Sequence, residues 1–215
     1  AVPAPSTGAT IAGGYTAVFY QGVARRVLHV DVASLYPSLM LTFNIFPEKD
    51  ALGILPSLLR DLREFRLAAK ALAREAPSEE ERAYAGALQQ TFKVLINSFY
   101  GYLGFPMGHW NDFDAANRVT AEGRKLIRHV VEALKERGAT VIEIDTDGIY
   151  FVAPPGVTDQ AGEEALVADL SRGFPPGISL ELDGRYPAMF SYKMKNYVLL
   201  DGAGRLTIKG SGLRS

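Results

Sequence analysis

The stretch from Val141 to Val152, VIEIDTDGIYFV, constrains the fold of this chain more than any other. Two runs rich in β-branched and aromatic residues flank an acidic tip, Asp145-Thr146-Asp147-Gly148. That pattern predicts a β-hairpin with carboxylates at its tip, Gly148 supplying the positive φ of a tight turn. Carboxylates crowded on a turn repel one another unless something positive stands between them. A hard divalent cation held through oxygens is one solution; an ordinary solvated acidic turn is the other. The motif alone does not choose between them.

Composition narrows the setting. The 215 residues suffice for one generous domain or two small ones, and 47% hydrophobic with 22% charged residues is ordinary for a soluble globular protein. A net charge of -1 gives no global attraction to polyanions, so any such site must be a local basic patch. With no cysteine, disulfides and thiolate metal sites are excluded. No run approaches the roughly 18 apolar residues of a membrane span, and the N-terminus lacks a charged segment leading into an apolar core. These features predict an intracellular, cytoplasmic protein with no membrane partner.

Residues 1–14, AVPAPSTGATIAGG, read as a flexible N-terminal arm. Tyr15 to Tyr20 and Arg26 to Val32 follow as short strands, the second carrying Asp31. At Val32-Ala33-Ser34-Leu35-Tyr36-Pro37-Ser38 the chain must leave its sheet, because Pro37 cannot extend a central ladder. Such a turn offers consecutive backbone N–H groups to an anion, or its polar residues simply cap the next helix.

Pro56 is expected to open a helix to about Arg74, with Leu58, Leu59, Leu62, Phe65, Ala69 and Leu72 inward and Arg63, Arg66, Lys70 and Arg74 on a second stripe. Ser78 and Glu81 form a capping-box signature for the next helix. It carries Tyr84, Leu88, Phe92, Leu95 and Phe99 on one side and Gln89, Lys93, Asn97 and Tyr100 on another, and stops near Gly101 and Gly104. The basic stripes are either a converging polyanion site or solvated outer faces.

A third helix is predicted from Asn117 to Arg137 and a fourth from Asp159 to Arg172, then a strand at Ile178 to Leu182. A closing hairpin is expected from Tyr192–Leu200 and Arg205–Lys209, made basic by Lys193, Lys195 and Lys209. The order places a helical hairpin as an insertion in an α+β domain.

Three separated segments resemble, in order, the motifs of family B DNA polymerases. Asp31-Val32-Ala33-Ser34-Leu35-Tyr36-Pro37-Ser38 is similar to their DxxSLYPS motif, Lys93 to Gly101 (KVLINSFYG) to their KxxxNSxYG helix, and Asp145-Thr146-Asp147 to their DTD turn. Weaker matches occur at the Ile54–Lys70 helix, at Val119–Arg124, at Lys195-Asn196-Tyr197 and at Lys209-Gly210, so the resemblance covers nearly the whole chain from about Gly13. It implies an antiparallel palm sheet backed by helices, over residues 15–46 and 105–215, with an inserted two-helix fingers hairpin over 47–104.

The resemblance also implies a chemistry. Two Mg²⁺ ions, roughly 3.5–4 Å apart and replaceable by Mn²⁺, would serve nucleotidyl transfer from deoxynucleoside triphosphates to a primer 3′-hydroxyl. Asp31 and Asp147 would bridge them, the backbone carbonyl of Val32 would add a ligand, and Asp145 would support the site. Ser34, Leu35 and Tyr36 would meet the triphosphate, with the Tyr36 ring excluding a 2′-hydroxyl. Arg66, Lys70, Lys93 and Asn97 would hold the outer phosphates, and Tyr100 and Gly101 would lie against the nascent pair. Lys195 and Tyr197 would touch the primer strand and Lys209 the duplex, positioning primer-template DNA without reading its sequence. Glu181 matches loosely a carboxylate near the metals, while His29, His109, His129 and Trp110 are expected to be packing or surface residues.

Where the family usually has Ser after the turn, this chain has Gly148. No exonuclease or full thumb domain is legible, so the chain is expected to be either a fragment or a reduced, nucleoid-associated polymerase relying on a partner. The alternative is a retired polymerase-like scaffold or DNA-binding subunit, against which the retention of Asp31, Asp147 and Lys93 argues.

Overall fold

The computed structural model describes residues 14–146 and 148–213, and these divide into two compact units. One is a sheet unit of residues 14–33 and 122–213; the other is a helical unit, Ser34–Ala121. Together they make a mixed helix and antiparallel-sheet fold. No helix of the described residues is long and apolar enough to cross a membrane.

In the sheet unit, β1 (Tyr15–Val18), β2 (Gly22–Val32), β3 (Thr140–Thr146), β4 (Gly148–Val152), β5 (Leu180–Lys193), β6 (Asn196–Leu200) and β7 (Leu206–Lys209) form one sheet. Their order is β1-β3-β4-β2-β5-β6-β7, and every pairing is antiparallel. Val27, Val30, Ile144, Ile149 and Phe151 are fully buried within it. α5 (Gln160–Ser171) is capped by Asp159, whose carboxylate accepts from the Gly162 N–H at 2.8 Å.

β5 is far longer than the predicted Ile178–Leu182 strand, and the reason is Pro187. A proline argues against a central strand because it has no N–H for the ladder. Here the ladder pairs Arg25 with Ala188 and Val27 with Tyr186 and skips the position between, where Arg26 has itself left strand geometry with φ 55. The predicted strand Tyr192–Leu200 is likewise corrected: Tyr192 and Lys193 end β5, and the chain turns through Met194 and Lys195 before β6 begins.

In the helical unit, α1 (Leu35–Thr42) starts directly after a left-handed Ser34, φ 46, with Pro37 in its first turn, where a missing N–H costs nothing. α2 (Ile54–Glu75) begins two residues before the expected Pro56, because the Asp50 carboxylate accepts from the Ile54 and Leu55 N–H groups and organises the first turn there. α3 (Glu79–Gly104) opens with the full Ser78–Glu81 capping box. α4 (Phe113–Glu136) starts four residues before the expected Asn117 and continues into the sheet unit.

The predicted apolar face of α2 is corrected by exposure. Leu59 and Ala69 are buried, but Leu58, Phe65 and Leu72 are exposed, whereas Arg63, Arg66 and Lys70 are half-buried. The basic stripe is thus divided, with Arg63, Arg66 and Lys70 partly covered and Arg74 exposed. On α3 the buried residues are Ala85, Ile96, Phe99 and Leu103, while Tyr84 and Leu95 are exposed.

Asp169 clips α5 to the end of α4 by accepting from Arg137 at 2.6 Å and pairing with Arg172. The hydrogen bonds from Arg137 and then Arg172 hold its carboxyl below the usual carboxylate range. A lowered folded value stabilises the fold above the unfolded value, about pH 4, and that contribution is lost as pH falls through the folded one. Asp169→Asn should therefore be destabilised against wild type at pH 7, and the gap should close on acidification, as read by urea unfolding at both pH values.

Candidate active site

Cross-strand pairing explains how separated motifs share one face of the sheet. Asp145 on β3 pairs with Gly148 on β4, Gly148 with Asp31 on β2, and Asp31 with Glu181 on β5. Residues directly opposite one another in a sheet share a face, so Glu181, Asp31 and Asp145 form one acidic row with a side-chain-free gap at Gly148. Asp147 lies outside the described residues, as does the side chain of Thr146. Among the described residues no three acidic or histidine side chains are gathered tightly enough to hold a metal ion.

Gly148, expected as the turn residue, is the first residue of β4 and pairs with both Asp31 and Asp145. Its lack of a side chain matters for packing instead, since a Cβ there would overlap the His29 imidazole. That ring is not a plain packing residue. Its Nδ1 meets the Asp183 carboxylate at 2.8 Å and its face lies 4.2 Å from the Tyr150 ring. Asp183 is the extra residue of a β-bulge, since His29 pairs with Gly184 and Val30 with Leu182. The His29–Asp183 link is not visible in sequence, where the partners lie 154 positions apart.

Asp145 is held on its other side. Its Oδ1 lies 3.8 Å from the Lys195 ammonium, and its Oδ2 accepts from the Tyr197 hydroxyl at 3.4 Å. Tyr197 was expected on the primer strand, but its ring is buried at 2% exposure and its hydroxyl is turned to Asp145 and, at 3.3 Å, to Tyr150. Burial and the nearby Asp145 and Glu143 charges push the Tyr197 phenol up to about 12, and burial pushes Tyr150 higher still. Both remain neutral hydrogen-bonding groups at neutral pH. Lys209 pairs with Tyr197 across β6 and β7 and is exposed. Val32 ends β2, buried at 1% exposure.

The helical unit gathers a second set. Arg66 donates to the Ser34 hydroxyl at 3.3 Å, and its buried Nε has no hydrogen-bond partner. Tyr36 and Tyr100 stack with ring centres 4.4 Å apart. Lys70 is half-buried on α2, while Lys93 and Asn97 are exposed one turn apart on α3. Leu35 is buried, and the side of Gly101 where a Cβ would stand is open. His109 packs edge-on against Trp110 at 5.3 Å, as a structural pair.

Comparison with known proteins now bears on this geometry. The family model for DNA polymerase family B matches residues 47–210. The chain belongs to DNA polymerase family B. It is 32% identical over 221 residues to DNA polymerase 1 of Pyrococcus abyssi (strain GE5 / Orsay), covering 92% of this chain and 29% of that protein. To the DNA polymerase of Archaeoglobus fulgidus it is 34% identical over 214 residues, covering 90% and 27%. Among solved structures, the family B DNA polymerase of the hyperthermophilic archaeon Pyrobaculum calidifontis matches with a TM-score of 0.74 at 27% identity, over 97% of this chain and 30% of that one. The chain thus spans under a third of the length of these family B relatives.

The packing of His29 on Gly148 gives a direct expectation. Gly148→Ala should cost about 1–3 kcal/mol by overpacking. Trimming His29 to Ala in the same chain should recover at least about 0.5 kcal/mol relative to additivity, measured by a urea double-mutant cycle. Strict additivity would mean that the imidazole yields freely.

Proposed function

We propose that this chain is the catalytic core of a DNA-directed DNA polymerase, its sheet unit acting as palm and the α2–α3 hairpin, within residues 47–104, as fingers. The observation that carries the reading is the acidic row. In a family B chain, acids from two motifs more than a hundred residues apart, Asp31 on β2 and Asp145 on β3, are brought onto one sheet face with only β4 between them by register alone.

The donor chemistry of that row suits hard divalent cations, since its three side chains offer carboxylate oxygens and no sulfur. Asp31 and Asp147 would hold two Mg²⁺ ions, Mn²⁺ substituting, with the Val32 carbonyl and Asp145 in support. When bound, the ions supply an activated 3′-hydroxyl and neutralise charge on the phosphates. The chain's own residues bind and orient. Ser34, Leu35 and Tyr36 present the first turn of α1 to the triphosphate, and Arg66, Lys70, Lys93 and Asn97 take the outer phosphates. The half-burial of Arg66 and Lys70 supports this, because cations withdrawn from water bind anions more strongly than solvated ones. The Tyr36 ring, braced by Tyr100, excludes a 2′-hydroxyl, and Gly101 leaves room for the nascent pair. Lys195 and Lys209 contact primer-template phosphates, and Tyr197 acts beneath them by orienting Asp145.

Primer extension with a labelled primer-template, four deoxynucleotides and Mg²⁺ at low salt tests the reading. Extension is expected from the chain and not from Asp147→Asn. If neither extends, calorimetric titration with Mn²⁺ decides: binding that Asp147→Asn loses supports an intact site lacking DNA grip, and no binding identifies a retired scaffold. In an active chain, Lys93→Ala should raise KM for the incoming nucleotide on the order of tenfold, the worth of one charged hydrogen bond. Tyr36→Ala should admit ribonucleotides; unchanged ribonucleotide exclusion would remove the ring from its gating role.

A further inference from the structure

Among the described residues Glu143 is the charged side chain at 0% exposure, and nothing in the proposed chemistry uses it. It stands two residues before Asp145 on β3, on the same sheet face and one row deeper, opposite Tyr150. Its Oε1 accepts the backbone N–H of Lys195 at 2.6 Å, and its Oε2 accepts the hydroxyl of Ser191, itself fully buried, at 3.4 Å.

Lys195 lies in the β5–β6 turn in the left-handed region, φ 61. A long L side chain adopts that conformation where its surroundings impose it. The turn is gripped on its opposite side as well. Gly210 approaches the Lys195 carbonyl and Asn196 so closely that a Cβ would overlap them, and the Gly212 N–H donates to Asn196 Oδ1 at 2.7 Å. From this backbone the Lys195 ammonium reaches to 3.8 Å from Asp145, both side chains being substantially exposed. An exposed pair of that length is too weak to set the turn. A short, part-buried bond from the turn's own amide to a carboxylate is strong enough.

We propose that Glu143 is a positioning residue: it holds the Lys195 turn in its left-handed form and so fixes where the Lys195 ammonium stands beside Asp145. Resting on the polymerase reading, the primer-strand contact of Lys195 then depends on a carboxylate that never touches DNA.

Two substitutions separate this from a merely structural role. Glu143→Gln keeps an acceptor for the Lys195 N–H, and Glu143→Met keeps the volume without one. Amide hydrogen exchange on the ¹⁵N-labelled 215-residue chain should show Lys195 within about threefold of wild type in Glu143→Gln. In Glu143→Met it should exchange about tenfold or more faster, with the β2 amides of Val27 and Val30 unmoved. Wild-type protection of Lys195 in Glu143→Met, or acceleration of β2 by the same factor, overturns the proposal. Should Met at 143 not fold, Ser191→Ala frees the second anchor of the carboxylate and is read by the same criterion.

Primer-template affinity by fluorescence anisotropy tests the consequence. Glu143→Met and Lys195→Ala should each weaken binding by about the same factor, and the double variant no further. If Lys195→Ala leaves affinity unchanged while its amide still responds to Glu143→Met, the primer contact falls and the positioning role stands. If Lys195→Ala weakens binding and Glu143→Met alters neither affinity nor exchange, the positioning role falls and the primer contact stands.

Discussion

The register of β2 between β4 and β5 decides which face of the sheet carries the acids. Side chains alternate along a strand, so a slip of one residue would send Asp31 to the opposite face and separate it from Asp145 and Glu181. Burial pins that register: Val30 is completely enclosed and Leu28 nearly so, and a slip of one residue would exchange these for His29 and Asp31. The bulge at Asp183 then shifts β5 by one residue between the His29 and Val30 pairs, which is what lets Glu181 fall opposite Asp31. The same bulge turns the Asp183 carboxylate onto His29, so one irregularity places two carboxylates at once.

A row of carboxylates is electrostatically costly in a protein without bound cations, and the sheet meets this cost with neighbours of graded polarity. Asp145 is contacted by an ammonium and by a neutral phenol, and beneath the phenol lies an apolar cluster of Ala24, Val27, Ile142, Met189 and Leu199 with Tyr150 and Tyr197. Burial raises the Glu143 carboxyl most, opposed by the hydrogen bonds from Lys195 and Ser191, while the Asp145 charge raises it further. The fold thus keeps one acid dry and fully hydrogen-bonded and leaves the next, Asp145, partly exposed at the row. That division leaves Asp145 partly in water while Glu143 serves the backbone.

What sequence made legible is what local rules encode. The Ser78–Glu81 box is a four-residue code and reads correctly. The α2–α3 hairpin, α5 and the β3–β4 hairpin follow from periodicity and punctuation. Misreadings arise where a distant partner overrides a local rule. Pro187 looks like a strand breaker until Arg26 is seen across from it, and Gly148 looks like a turn residue until the His29 ring is seen above it. On α2 the hydrophobic period selects Leu58, Phe65 and Leu72, yet the helix turns Arg63, Arg66 and Lys70 toward partial burial. Periodicity locates a stripe, but it does not say which stripe is covered. Glu143 was within reach of a simpler rule: two positions before Asp145, it had to share that face.

Non-glycine residues in the left-handed region mark where the chain departs from what its own backbone prefers. Ser34, Asn44, Arg26 and Lys195 all do so, at a cost of order 1–3 kcal/mol each. Arg26 is explained by the proline opposite it. Ser34 and Lys195 each follow or precede a strand carrying the acidic face, and each has a charged group bonded to it: Arg66 to the Ser34 hydroxyl, Glu143 to the Lys195 amide. Strain at such positions persists where surrounding bonds over-determine it, and these two bonds come from residues far away in the chain. The two turns are thus held by tertiary contacts and not by local sequence, so their geometry is set only once the units that contain them have folded.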